Sequence, residues 1–110
     1  MDHSFRSVSL YLDHTLGLAH LQSVLQGSLD RHPSELVRII GIVHSPEPTE
    51  AWAIQAAADR VYPSVSLPVR PDQDRRSRLI LIATSGLEAL TQELSVHLGS
   101  SLDQNSVRLH

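Results

Sequence analysis

The sequence predicts one small α+β domain, and three observations carry that expectation. Residues 7–12 alternate at strand period, leucines from 16 to 30 recur at helical spacing, and two short apolar runs lie at 36–43 and 79–83. A chain of 110 residues is long enough to bury roughly two-thirds of its unfolded surface as one unit, residues 1–110. With one Trp, one Phe and two Tyr, its core must be built from Leu, Ile, Val and Ala.

Val8, Leu10 and Leu12 alternate with Ser7, Ser9 and Tyr11, which places a first strand over 5–12, buried on one face. Leu18, Leu21, Val24 and Leu25 then mark a helix over 16–30, stopped by Pro33. The β-branched run from Leu36 to Val43 reads as a second strand. Pro46 and Pro48 form a turn from which Thr49 is placed to cap a short helix over 50–60, its face formed by Ile54, Ala57, Ala58 and Val61. Val65, Leu67 and Val69 alternate among prolines, so that piece is an edge strand or an extended loop. Pro71 to Arg78 is polar and charged throughout and reads as an exposed loop. A third core strand follows at 79–83, then a helix opened by a Ser85–Glu88 capping box, with Leu87, Leu90 and Leu94 on one face. Val107 and Leu109 leave room for a last short strand.

Two topologies fit this order. In the first, residues 45–77 are a long insertion between the second and third core strands, and the core (5–44 and 78–109) reads β-α-β-β-α-β, the split ferredoxin-like arrangement. In the second, the helix at 50–60 is a crossover and the chain forms a small parallel α/β three-layer domain. The alternation in 7–12 favours the first, because central strands of parallel sheets read as continuous apolar runs.

Composition removes several function classes. There is no cysteine, which excludes a disulfide framework and zinc sites built on sulfur, and suits a cytoplasmic setting. All nine basic residues are arginine, so lysine Schiff-base chemistry and a Walker-type phosphate loop are excluded too. A net charge of −3 argues against nucleic acid as a partner, no apolar stretch reaches the ~20 residues of a membrane span, and the N-terminus lacks the pattern of an export signal. Seven histidines show no i,i+4 pair, so neither a metal site nor any other cofactor is expected.

The run Asp13-His14-Thr15-Leu16-Gly17-Leu18-Ala19-His20-Leu21, with the strand-to-helix passage from Arg78 to Leu94, resembles the ACT family of small regulatory domains. The long excursion between core strands is similar in layout to PII-like signalling proteins. The resemblance implies a non-catalytic regulatory module that binds a small effector at a subunit boundary and signals to a partner protein.

Two candidate binding elements emerge. Asp13, His14, Thr15, Gly17 and Leu18 stand where a strand meets a helix N-terminus, whose free N–H groups favour an anionic ligand; the plainer reading is that Asp13 or Thr15 only caps the helix. Arg70, Arg75, Arg76 and Arg78 form an arginine-rich loop suited to phosphate or carboxylate, or simply a solvated charged loop. The leading expectation is a regulatory module for a small anionic metabolite, an amino acid or nucleotide. A structural or protein-interaction domain is the first alternative, and a small α/β enzyme using His44 and His14 the second. The apolar runs at 36–43 and 79–83 suggest a sheet face covered by another subunit, in a homodimer or homotrimer.

Overall fold

A computed structural model describes residues 5–12, 17–32, 37–44, 50–57, 60–69, 76–98, 100–102 and 108–109. The chain runs β1 (Arg6–Leu12), α1 (Leu18–Arg31), β2 (Arg38–His44), β3 (Glu50–Ala57), β4 (Arg60–Val61), β5 (Val65–Pro68), β6 (Arg78–Ala83), α2 (Leu87–Leu98), β7 (Ser100–Leu102) and β8 (Arg108–Leu109). The domain is α+β: one antiparallel sheet in the order β4-β3-β2-β6-β1-β7, with β5 also on β3, β8 also on β1, and two helices.

Every pairing among the described strands is antiparallel, which overturns the parallel three-layer alternative. The helix expected over 50–60 is also overturned. Its alanines favour a helix by propensity, yet residues 51–57 pair along the whole of β2, from His44↔Ala51 to Arg38↔Ala57. Propensity is a weak prior, and a neighbouring strand that needs a ladder partner outweighs it. The insertion therefore widens the sheet, with β5 as an edge strand on β3.

Alternation sorts the strands onto two faces. Val8, Leu10 and Leu12, Ile39 and Val43, and Leu79, Leu81 and Ala83 point to the helices and are buried. Against them pack Leu21, Leu25 and Leu29 of α1 and Leu87, Leu90, Leu94 and Leu98 of α2. Trp52 and Val61 close the core from the β3–β4 side, where Gln26 of α1 accepts a hydrogen bond from the Val61 N–H at 3.1 Å.

Both helix starts differ from expectation. Gly17, extended at φ −63°, is the N-cap of α1, and its carbonyl accepts the Leu21 N–H at 3.0 Å. Gly86, not Ser85, precedes α2; it sits at φ +71°, and its carbonyl accepts the Leu90 N–H. The Glu88 carboxylate bonds its own backbone N–H and pairs with Arg6 of β1, tying the helix start to the sheet and holding its pKa below the usual carboxylate range. The exposed-loop reading of 71–78 fails at its end, since Arg78 opens β6 and Ser77 is buried.

Candidate functional site

Among the described residues no helix lies on the second face of the sheet. Register lays its residues out in rows: Val65, Ala53, Ile42, Arg78 and Tyr11 in one, Gln55, Ile40, Ile80 and Ser9 in the next, and Arg60, Ala57, Arg38, Ile82 and Ser7 in the third. Ile40 and Ile42 are 41% and 40% exposed, unusual values for isoleucines in the middle of a sheet.

At one end of this face Tyr11, Gly41, Ile42, His44, Arg76, Arg78 and Ile80 line a depression of about 270 Å³. β1 and β2 both run antiparallel to β6, so they are parallel to each other and bring Tyr11 and Ile42 to either side of Arg78. Ser77 fixes the junction: its carbonyl accepts the Leu12 N–H and its hydroxyl accepts the His44 N–H, both at 2.9 Å. A side chain here continues the ladder that β6 no longer supplies through its backbone. Gly41 is required by close approach, because a Cβ there would lie 2.2 Å from the Arg78 carbonyl oxygen.

The two arginines converge on one ring. The Arg76 guanidinium lies 4.4 Å from the Tyr11 ring centroid and that of Arg78 5.8 Å, within cation–π range. Arg78 also donates from Nη2 to Ser9 Oγ at 3.2 Å, which engages one of its several N–H donors. The result is a cationic, aromatic hollow with isoleucine walls. Its chemistry suits a carboxylate or phosphate group attached to something apolar.

The expected site residues divide accordingly. Arg76 and Arg78 are brought together, while Arg70, Arg75, Asp13, His14 and Thr15 lie outside the described residues. Gly17 and Leu18 are not in the depression; Leu18 packs against the core. His44, which the enzyme alternative would use, does line the hollow, with its residue buried and its backbone held by Ser77. Tyr11, Ser9 and Ser77 were missed, although the polar half of the 7–12 alternation had marked the first two as facing away from the core. Among the described residues no three His, Asp or Glu side chains group as a metal site would need, and no helix is long and apolar enough to cross a membrane.

Fold and site together define a small α+β domain with one sheet face packed against its helices and the other bearing a cationic, aromatic hollow. A family profile for the cobalamin synthesis protein CobW C-terminal domain matches residues 5–101, and the chain belongs to that family. Neither curated proteins nor solved structures gave a match. The ACT-like and PII-like resemblances are corrected by this finding. The leucine and alanine spacing that suggested the ACT likeness is the core face of α1, which any amphipathic helix after a strand repeats, and Thr15 and Leu16 stand where the ACT turn has proline and glycine; the excursion that suggested the PII likeness adds β3 and β5 to the sheet.

Proposed function

We propose that this CobW C-terminal domain is a non-catalytic recognition module that holds an anionic group in the hollow formed by Tyr11, Arg76, Arg78 and His44. The observation that supports the reading is the convergence of two guanidinium groups on one tyrosine ring. Held over an aromatic face, they lose less freedom on binding than solvated arginines would, and charge-assisted hydrogen bonds then contribute about 1.5–3 kcal/mol each. A small domain of a metal-chaperone-like family is a natural place for such a module. An amino acid or nucleotide meets the chemical requirement, and occupancy felt by an attached partner makes the module regulatory. The order β2-β6-β1-β7, with α1 and α2 between strands, also supports reading the core as ferredoxin-like β-α-β-β-α-β with β3 to β5 inserted.

The test is an amide chemical-shift titration with inorganic phosphate and with acetate. Binding should move Tyr11, Ile42 and Arg78, and Arg78→Gln should weaken it by about tenfold, the factor for 1.4 kcal/mol. Unchanged affinity in that variant, or shifts confined to the helices, would remove this site from consideration.

A further inference from the structure

The hollow is one end of a larger surface. From its walls Ile42 and Ile80 a continuous apolar strip runs on through Ile40 and Ile82 along β2 and β6, and at the far end stand Arg38 and Arg60. Arg38 lies four residue steps along β2 from the Ile42–Arg78 row, about 13 Å at strand rise. The open face carries positive charge, whereas the helix side carries both signs, with Arg6 and Arg31 paired to carboxylates there. Among the described residues Arg38, Arg60, Arg76 and Arg78 belong to the open face, whereas the carboxylates Asp30, Glu88 and Glu93 are on the helices and Glu50 is at a position of core-facing parity on β3.

We infer that the open face is a docking surface for an acidic amphipathic helix of a protein partner, with carboxylates about two helical turns apart that reach the two arginine ends. This rests on the reading of the hollow as an anion site, and it names what carries the anion. Three arguments lead there. An apolar strip broader than a small ligand needs a long apolar occupant. The ladders of β2 and β6 are paired on both sides, so the face offers side chains and no backbone hydrogen bonds. Its partner must satisfy its own backbone, as a helix does. A second copy on a two-fold axis would instead set the guanidinium groups of Arg38, Arg60 and Arg78 against like charge.

The experiment uses the whole chain and two designed helical peptides, each with leucines on one face, one flanked by glutamates and the other by lysines. Phosphate is titrated in parallel. The glutamate peptide should bind at least about tenfold more tightly than the lysine peptide, and binding should weaken as salt rises. Arg38→Gln and Ile40→Thr lie outside the hollow. Each should weaken the glutamate peptide several-fold and leave phosphate binding unchanged. Phosphate binding with no preference between peptides, or a preference unmoved by both variants, overturns the helix inference while sparing the hollow. Peptide binding that ignores Arg78→Gln, with no phosphate binding, removes the hollow itself. Self-association of the free chain abolished by Ile40→Thr would show that a second copy covers the face, and would also overturn the inference.

Discussion

The two faces of this sheet are made by the same strands and obey opposite rules. Toward the helices, Leu10, Leu79 and Leu81 are fully buried and each strand offers aliphatic side chains to a matched leucine layer. On the other side the same backbone presents serine, tyrosine, arginine and four isoleucines with no layer above them among the described residues. The run 39–43, isoleucine and valine around Gly41, is apolar on both sides, yet only one side is needed for the fold. What folding does not require of Ile40 and Ile42 is available for recognition.

The comparison breaks most visibly under truncation. Leu10→Ala on the covered face should lower unfolding free energy by about 2–5 kcal/mol, whereas Ile40→Thr on the open face should cost under about 1 kcal/mol, both read from urea midpoints. Comparable losses would mean that the open face is packed in the free chain. Gly41→Ala tests the junction where the faces meet. Its methyl would press on the Arg78 carbonyl oxygen and on Leu79 Cδ2 at 2.9 Å, so β2 and β6 must part, at a cost of about 3 kcal/mol.

The helix layer has its own electrostatic clasp. Arg31 Nε donates to Glu93 Oε1 at 2.8 Å, and His32 Nε2 lies 3.4 Å from the other carboxylate oxygen. The Arg31 hydrogen bond, opposed by partial burial, brings the Glu93 carboxyl from 4.5 down to about 2. A folded-state pKa below the unfolded one means stability that is full above about pH 5 and is lost as pH falls from 4.5 toward 2. Glu93→Gln should cost about 1–2 kcal/mol at pH 7, discounted because Arg31 is half exposed, and the gap to the parent should narrow as pH falls below 4.5 and close only near pH 2. A gap that stayed constant down to pH 2 would assign the loss to packing. The smallest effect is expected at Gly17, whose extended φ and open surroundings do not require glycine: Gly17→Ser should stabilise α1 by a few tenths of a kcal/mol through a capping hydroxyl. A thermal scan showing a loss would mean that the glycine is needed after all.

Local pattern revealed most of the layered architecture. The 7–12 alternation, the α1 leucines and the 79–83 run each place an element within a residue or two of where it lies. Residues 50–57 misled because alanine and isoleucine spaced for a helix face also suit a strand whose ladder partner is β2, and no window on the sequence contains that partner. The site was half legible. Arg76 and Arg78 stood out as charge, but Tyr11 becomes their platform only through the Tyr11↔Arg78 register, and Ser77 matters only because two strands end beside it. Of the two candidate binding elements, Leu18 packs with the core and Arg76 and Arg78 stand on the other face of the sheet, while Asp13, His14, Thr15, Arg70 and Arg75 lie outside the described residues.

Isoleucine methyl spectra test the central claim most directly, since the six isoleucines divide between the faces. Titration with the glutamate-flanked helical peptide should shift the δ1 methyls of Ile40, Ile42, Ile80 and Ile82 and leave those of Ile39 and Ile54 in place. Shifts at Ile39 and Ile54 with the other four unmoved would contradict the assignment of recognition to the open face.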